Sequence, residues 1–202
     1  MLRVGVIGCG GMGRDHIRRL TEKIQGAEVV AVSDVFEESA RKAAEICGAK
    51  VYADSKELIN AENVDAVFIV SPGFAHVDSL LQAIEAGKRI FCEKPLCTTA
   101  EDCLKVVKAE EAAGKHLIQL GFMRRYDKGY QQIKEALATG EYGEPLILHC
   151  THRNPEVGTN YNTPMAVHDT AIHEIDVLHW LVDDEYESAQ VVMPKSDEIF
   201  PL

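Results

Sequence analysis

Three polar side chains near the end of the chain have the types and spacing needed for proton transfer. In the segment 168–180, Asp169, His173 and Asp176 follow one another at intervals of four and three residues. Residues at these intervals share one face of an α-helix, and a neighbouring carboxylate fixes the tautomer of an imidazole and raises its basicity. The segment therefore predicts a helix with a general base, anchored by an apolar side that consists of Ile172, Ile175 and Leu178. A solvated helix face without chemistry is the alternative interpretation.

A lysine in the first half of the chain could stabilise developing negative charge. Lys94 follows an apolar run, Arg89 to Cys92, that is typical of a buried strand. An ammonium group at the end of such a strand could hydrogen-bond a reacting hydroxyl or carbonyl oxygen. Glu93 is expected to orient this lysine, and both Glu93 and Lys94 are also candidate contacts of a bound cofactor. A surface lysine before a turn proline is the alternative.

The elements that must position these residues follow an alternating pattern of strands and helices. Five short apolar runs predict strands: Arg3 to Ile7, Val29 to Val32, Ala66 to Val70, Arg89 to Cys92 and His116 to Leu120. The helices between them are expected to end at Gly48, Gly87 and Gly114, because glycine readily adopts the left-handed conformation that closes a helix. The pattern predicts an α/β fold of the Rossmann type, a doubly wound parallel sheet with a ligand crevice at the carboxyl ends of its strands. The first domain is expected to span residues 1–122.

The pattern changes in residues 123–202, which predict an incomplete α+β domain. The predicted elements are a helix from Asp127 to Ala138, a strand from Pro145 to Thr151, a helix from about Pro164 to Val182 and a strand near Ala189 to Met193. Two strands do not form a stable sheet by themselves.

The first predicted strand leads into a glycine-rich loop that fits a dinucleotide. Residues 8–13 match the pattern GxGxxG between a strand and a helix. The three glycines of the pattern allow a tight turn, close approach of a pyrophosphate to the backbone and close packing of the helix, whose N-terminal amides can bind phosphate. The candidate cofactor contacts in this loop are Gly8, Gly10, Gly11, Met12 and Gly13. A plain glycine turn is the alternative.

Residues at two further strand ends also fit a nucleotide. Asp34 ends the second predicted strand, where a carboxylate can accept hydrogen bonds from ribose hydroxyls and would repel a 2′-phosphate. Because no residue next to Asp34 is a cation, the sequence predicts NAD and not NADP. Ser71 and Pro72, after the third strand, are expected beside the dinucleotide. A loop cap at Asp34 and a turn former at Pro72 are the alternatives.

Composition argues against several classes of protein. The chain has 202 residues, of which 46% are hydrophobic, and a net charge of −11. This charge repels phosphate backbones, and no basic stripe offsets it, so nucleic acid is not an expected partner. The apolar runs are too short to span a bilayer. Six cysteines without a CxxC pair, and a start without a leader pattern, predict a reduced, cytoplasmic protein.

Metal and hydrolytic chemistries fit the residues less well. His173-Glu174 begins like a metalloprotease helix, but Val177 occupies the position of the second histidine ligand. Asp169 and His173 have a spacing that could bind a metal, yet the cysteines are not grouped to complete a site. No GxSxG nucleophile is present. The sequence therefore predicts no metal site.

Taken together, these motifs resemble the Gfo/Idh/MocA oxidoreductases. The resemblance rests on the start Val4-Gly5-Val6-Ile7-Gly8-Cys9-Gly10, the turn Glu93-Lys94-Pro95, and Asp169 followed four residues later by His173. It extends over the whole chain. Residues 123–127, 152–155 and 173–180 are especially similar to the branch of that family that acts on inositol.

The resemblance implies an NAD-dependent oxidation of a secondary hydroxyl of a cyclic polyol, with myo-inositol converted to its 2-keto form. It implies His173 as the general base, Asp169 as the residue that orients it, and Lys94 as the residue that holds the reacting oxygen. Further contacts to substrate hydroxyls are expected from Arg124, Asn154 and Asp176. A surface ion pair, a loop cap and a helix-face carboxylate are the respective alternatives.

The resemblance also implies a longer chain, because the family continues beyond this length with a large open sheet that backs the substrate pocket. Residues 123–202 are therefore expected to be the N-terminal part of a substrate and oligomerisation domain, and the full-length form a homo-oligomer. The 202-residue chain is expected to bind NAD with little or no turnover, and its incomplete sheet edge to favour association or disorder near the C-terminus. The alternatives are a nonenzymatic NAD-binding module or sensor, and a dehydrogenase for another sugar.

Overall fold

The computed structural model describes residues 1–159 and 161–192. The chain divides into two units, Met1–Gly121 and Phe122–Leu202. Each unit has its own elements, and each is described by itself.

The first unit is built on a six-stranded parallel sheet. Its strands are β1 (Leu2–Ile7), β2 (Ala27–Ser33), β3 (Lys50–Tyr52), β4 (Ala66–Ile69), β5 (Arg89–Cys92) and β6 (Ile118–Leu120). Their order is β3-β2-β1-β4-β5-β6, and every neighbouring pair is parallel. This order reverses direction at β1, so the prediction of a doubly wound Rossmann-type sheet is confirmed. The three-residue strand β3 is not among the five predicted strands.

Five helices connect these strands. They are α1 (Gly11–Glu22), α2 (Glu37–Cys47), α3 (Ser55–Asn60), α4 (His76–Glu85) and α5 (Ala100–Ala113), with a 3₁₀ turn at Gly73–Ala75 before α4. Helices α2 and α5 end at Gly48 and Gly114 in the left-handed conformation, and Gly87 after α4 has a φ of 64°. The predicted glycine exits are confirmed.

Apolar side chains cover both faces of the sheet and divide into two clusters. Because successive strand residues point to opposite faces, Val4 and Val6 of β1 pack with Ile17 and Leu20 of α1. On the other face, Ile7, Val67 and Ile69 pack with side chains of α3 and α4. Burial on both sides explains why the strands are almost wholly apolar, and it leaves their carboxyl ends as the edge from which polar loops emerge.

In its described residues, the second unit contains helices and turns. It begins with a 3₁₀ turn at Met123–Tyr126, followed by α6 (Lys128–Ala138). Asp127 caps α6 by accepting the amides of Gly129 and Tyr130. A later helical segment comprises α7 (Thr163–Met165), a π-helical stretch at Ala166–Ala171, and α8 (Ile172–Val182).

The structure contradicts the strand predicted at Pro145 to Thr151. These residues form no strand, and the Leu146 and Ile147 side chains are about nine-tenths exposed. A β-strand needs the hydrogen bonds of a neighbour, and the described part of the second unit offers no strand to pair with. The strand predicted at Ala189 to Met193 is likewise absent over residues 189–192, and Met193 lies outside the described residues.

The predicted orientation of the last helix is also wrong in part. The buried residues of α8 are His173, Asp176, Val177 and Leu181, whereas Ile175 is 46% exposed. The polar stripe of this helix is therefore buried and is not a solvated face.

Candidate active site

The glycine-rich loop after β1 leaves no room for side chains at two positions. Gly8 has a φ of 94°, and a Cβ there would lie 2.4 Å from the backbone nitrogen of Ser71. A Cβ at Gly13 would lie 2.0 Å from the Gly8 carbonyl oxygen. The structure thus gives these two glycines the predicted roles, a tight turn and close packing of α1 on the loop.

The same loop is open where a dinucleotide would approach. A Cβ at Gly10 or Gly11 would meet nothing within 4 Å. Gly10 is the N-cap of α1, with no side-chain hydrogen bond to the helix terminus. The first amides of a helix need acceptors and favour anions, so the loop and the amides of Gly11, Met12 and Gly13 fit the pyrophosphate of NAD.

Asp34 follows β2 and is fixed by two backbone amides. One carboxylate oxygen accepts the Cys9 N–H at 2.6 Å, and the other accepts the Phe36 N–H at 2.8 Å. The side chain therefore acts as a loop cap, which was the alternative interpretation, and it also holds the glycine-rich loop against the end of β2. A carboxylate oxygen can accept more than one hydrogen bond, so this capping leaves the predicted ribose contact open.

A cavity of about 530 Å³ lies beside Asp34. Its lining includes Arg41, a cation that the sequence argument missed because it considered only the neighbours of Asp34. The Arg41 guanidinium is paired with Glu37, with a hydrogen bond of 3.0 Å from Nε. The cavity next to the predicted ribose contact therefore contains two carboxylates, Asp34 and Glu37, which disfavour a 2′-phosphate.

Ser71 and Pro72 lie at the end of β4, at the same sheet edge as the glycine-rich loop. The Ser71 hydroxyl oxygen is buried and has no hydrogen-bond partner within the described residues. A buried hydroxyl without a partner is costly in a native protein unless a ligand satisfies it. Its place at the edge predicted to bind a dinucleotide supports the assignment of Ser71 to the cofactor site.

A buried histidine joins this edge to the lysine turn, and sequence reasoning missed it. His76 is fully buried, and its Nε2 lies 2.6 Å from the Ser71 carbonyl oxygen. Its Nδ1 lies 2.9 Å from the carbonyl oxygen of Pro95, in the turn with the cis peptide Lys94–Pro95. Only its position at the start of a helix after a strand could have indicated this role.

Glu93 and Lys94 follow β5, as predicted. Glu93 Oε1 accepts a hydrogen bond from His16 Nε2 at 2.8 Å, and Oε2 accepts the Lys94 amide at 3.2 Å. Burial raises the pKa of the Glu93 carboxyl, but the hydrogen bonds from His16 and the Lys94 amide, with the charges of both residues, outweigh it and lower the pKa overall. Glu93 is thus ionised and tied to both α1 and the lysine turn.

In the second unit, the predicted base lies on a helix of mixed type. Asp169 belongs to the π-helical stretch Ala166–Ala171, and His173, which is 8% exposed, is the second residue of α8. The wider π turn changes the α-helical register that the sequence argument assumed. Single π turns within α-helices occur frequently at functional sites.

Arg124 belongs to a polar cluster that also contains Asn154. Its guanidinium pairs with the Glu174 carboxylate, whose Oε1 lies 3.2 Å from Nδ1 of His152. His152 Nε2 in turn lies 3.1 Å from Asn154 Oδ1. Sequence reasoning assigned no role to Glu174 or His152, because their partners are 22 to 50 residues away in the chain.

Asp176 is held by the neighbouring arginine. Arg125 Nε lies 3.1 and 3.0 Å from the two carboxylate oxygens of Asp176, which is 8% exposed. The hydrogen bonds to Asp176 raise the pKa of Arg125 despite its partial burial. Asp176 is therefore a buried partner of Arg125 and not merely a helix-face carboxylate.

Metal-binding clusters and membrane-spanning helices are absent from the residues that the structure describes. Among residues 1–159 and 161–192, no group of three or more His, Cys, Asp or Glu is placed to hold a metal ion. Within the same residues, no helix has both the length and the apolar character required to cross a membrane.

Both units match models of one protein family. Residues 2–122 match the model described as the oxidoreductase family, NAD-binding Rossmann fold, and residues 130–199 match the GFO/IDH/MocA C-terminal domain. The predicted resemblance and the predicted NAD-binding Rossmann fold are confirmed by these matches.

Two curated relatives are similar in sequence to this chain, and both are named as inositol dehydrogenases. The chain is 56% identical over 196 residues to an inositol 2-dehydrogenase/D-chiro-inositol 3-dehydrogenase of Halalkalibacterium halodurans. The aligned region covers 96% of this chain and 56% of that protein. A protein of the same name from Shouchella clausii is 57% identical, with 96% and 57% covered.

Among solved structures, the chain is similar to myo-inositol dehydrogenase from Lactobacillus casei in complex with NAD(H) and myo-inositol. The TM-score is 0.94 and the sequence identity is 49%. The match covers 98% of this chain and 59% of that one. The chain thus spans 56 to 59% of the length of these relatives.

Proposed function

The chain belongs to the Gfo/Idh/MocA family of oxidoreductases, and we propose that its full-length form oxidises a secondary hydroxyl of a cyclic polyol with NAD. The proposed substrate is myo-inositol, converted to its 2-keto form. The named relatives and the Lactobacillus casei complex support this choice of substrate.

The observation that carries the proposal is the arrangement at one edge of the sheet. The glycine-rich loop, Asp34, Ser71 and Lys94 each follow a parallel strand, and the carboxyl ends of these strands lie side by side. In this fold a dinucleotide binds at that edge. The position of Lys94 at the same edge supports its proposed role beside the reacting end of the cofactor.

Three residues of this chain handle the proton and the charge of the reaction. His173 removes the hydroxyl proton at a ring nitrogen, while the substrate carbon gives up a hydride, which bound NAD accepts. Asp169 orients the imidazole and stabilises its protonated form. Lys94 donates a hydrogen bond to the reacting oxygen and stabilises charge on it. The products are the ketone, NADH and one proton, which the histidine returns to solvent.

Polar side chains of the second unit provide recognition of the other hydroxyls. Arg124 and Asn154 belong to one hydrogen-bonded cluster, and Asp176 is fixed by Arg125. A cyclic polyol is uncharged and presents many hydroxyls. Donors and acceptors held in fixed positions recognise it by the directions of the hydrogen bonds to these hydroxyls. The full-length form is proposed to be a cytoplasmic homo-oligomer without nucleic-acid partners.

The test is turnover by the full-length protein and by two variants. Wild-type protein with saturating NAD and myo-inositol should form NADH, and a panel of other cyclic polyols and sugars ranks the substrates. Lys94→Ala and His173→Ala should each lower kcat by a factor on the order of a hundred or more, with NAD affinity retained in calorimetry. Wild-type-like turnover in both variants contradicts the assigned roles.

A nonenzymatic NAD-binding module is the second candidate, and it concerns the 202-residue chain taken alone, because this chain spans little more than half of its relatives. Calorimetry of this chain should show NAD binding. Binding of NAD alone, with no NADH formed from inositol, supports the module, whereas polyol binding coupled to NAD supports a complete active site.

A further inference from the structure

Glu174 lies at the centre of the polar cluster that contains Arg124. It follows the proposed base directly in the sequence, on α8, and its side chain is 15% exposed. Its carboxylate pairs with the Arg124 guanidinium, and its two oxygens lie 3.2 and 3.3 Å from Nδ1 of His152. One carboxylate therefore connects a turn, a loop and a helix of the second unit.

We propose that Glu174 is a positioning residue for substrate recognition, which holds Arg124 and His152, and through His152 also Asn154, in the orientation that binds polyol hydroxyls. The inference rests on the proposed function, in which Arg124 and Asn154 contact the substrate.

The donor and acceptor roles in the cluster support this assignment. An ionised carboxylate only accepts hydrogen bonds, so the proton of His152 is held at Nδ1 where the ring faces Glu174. Nε2 of the same ring lies 3.1 Å from Oδ1 of Asn154, so the ring orientation that Glu174 holds also sets the position of the Asn154 side chain. The NH2 group of Asn154 is then available to donate a hydrogen bond to a substrate hydroxyl.

The charge of Glu174 is maintained at its position. Burial raises the pKa of Glu174, but hydrogen bonds from Arg124 and His152, together with the charge of Arg124, lower it overall. The carboxylate is thus ionised whenever the enzyme works near neutral pH. The two terminal nitrogens of the Arg124 guanidinium face Glu174 and His152. A guanidinium has more N–H groups than these two contacts use, and the others remain for a ligand.

A second ion pair makes it possible to test the positioning role of Glu174 separately from folding. Arg125 follows Arg124 directly and pairs with Asp176, which lies two residues after Glu174. This pair also joins the 3₁₀ turn at Met123–Tyr126 to α8. Loss of the Glu174 charge leaves this pair intact, so the turn remains attached while Arg124 loses its orientation.

The experiment compares Glu174→Gln with Glu135→Gln, a matched change at an exposed residue of α6. In the full-length enzyme, Glu174→Gln should raise KM for myo-inositol by a factor on the order of ten to a hundred. It should change kcat much less and leave KM for NAD unchanged, and the control should leave all three unchanged. Glu174→Asp keeps the charge and should give an intermediate KM, which also serves if the glutamine variant does not fold.

An unchanged KM for inositol in Glu174→Gln overturns the inference, as does an equal loss of inositol binding, NAD binding and thermal stability. If wild-type enzyme forms no NADH from any polyol, the proposed function fails instead. The positioning role of Glu174 is then tested on the 202-residue chain by nitrogen NMR of His152. The spectrum should show a proton at Nδ1 in wild type and a change at this position in Glu174→Gln. The same tautomer in wild type and Glu174→Gln contradicts its positioning role.

Discussion

At the scale of single residues, the cofactor loop depends on the absence of two Cβ atoms. A Cβ at Gly8 or Gly13 would collide with backbone atoms, whereas a Cβ at Gly10 or Gly11 would meet nothing within 4 Å. Backbone atoms cannot rotate away as a flexible side chain can, so the clash at Gly13 must shift either the loop or α1.

The first prediction follows from this difference between two glycines of one helix. Gly13→Ala should lower the stability of the first unit by about 1–3 kcal/mol and weaken NAD binding. Gly11→Ala should retain the fold and gain slightly in stability, because alanine favours a helix more than glycine does. Thermal unfolding and NAD calorimetry check both. Equal stability of the two variants contradicts the geometry of the loop.

The second prediction concerns how the stability of the fold depends on acidic pH through Glu93. The pKa of Glu93 is lower in the folded chain than its ordinary value of 4.5, so below that value the unfolded chain binds more protons than the folded one. Its contribution to stability is complete above pH 4.5 and is lost as pH falls through the folded pKa. Urea unfolding at several pH values should therefore show a weaker fall in stability below this pH for Glu93→Gln than for wild type. A steeper fall in the variant contradicts the assignment.

The residues that sequence reasoning identified are those whose roles are local. The glycine-rich loop, Asp34 and Lys94 follow strands directly, so a strand pattern places them at the edge of the sheet. Arg41 lies outside the immediate neighbours of Asp34, although its i,i+4 spacing from Glu37 is visible in the sequence. His76, His152 and Glu174 have partners that are distant in the sequence, which no local pattern indicates.

At the scale of elements, α8 is the part of the second unit that carries most of the proposed chemistry. Lys134 of α6 donates a hydrogen bond to the Trp180 carbonyl oxygen at 2.6 Å and lies 3.4 Å from that of Leu181. The last carbonyls of a helix have no partner within the helix, and a cation there also interacts favourably with the helix dipole. Lys134 thereby connects α6 to the end of α8.

The third prediction tests this connection. Lys134→Met keeps the apolar stem and removes the donor, so it should lower the stability of the second unit by about 0.5–1.5 kcal/mol. The chain has one tryptophan, and Trp180 fluorescence during urea unfolding therefore reports on α8. Lys128→Met, at an exposed position of the same helix, is the control. A loss of stability as large in the control as in Lys134→Met contradicts the proposed link.

Elements with strong local signals were predicted well, and those that depend on neighbours were not. The helices α6 and α8 lie within the predicted helical ranges, Asp127 to Ala138 and about Pro164 to Val182. The run 145–151 has strand-forming residues but no partner strand within the described part of its unit. The π-helical stretch at Ala166–Ala171 arises from wider backbone hydrogen bonding, which the spacing of side chains does not encode.

At the scale of the whole molecule, one chain combines a Rossmann-type unit with a second unit, of which residues 130–199 match the C-terminal domain of the same family. The first unit contains every residue proposed to bind the cofactor, including Lys94. The second contains the proposed base and the polar cluster around Glu174. We propose that these residues, in the full-length protein, serve a hydride transfer from a cyclic polyol to NAD.

The most direct measurement of that claim is the fate of the hydrogen on the reacting carbon. Full-length protein would be incubated with NAD and myo-inositol that carries deuterium on the carbon to be oxidised, and the NADH formed would be analysed by mass spectrometry. The deuterium should appear in the NADH, and His173→Ala should form this NADH more slowly by a factor on the order of a hundred or more. NADH without deuterium, or no NADH from any polyol, would contradict the proposal.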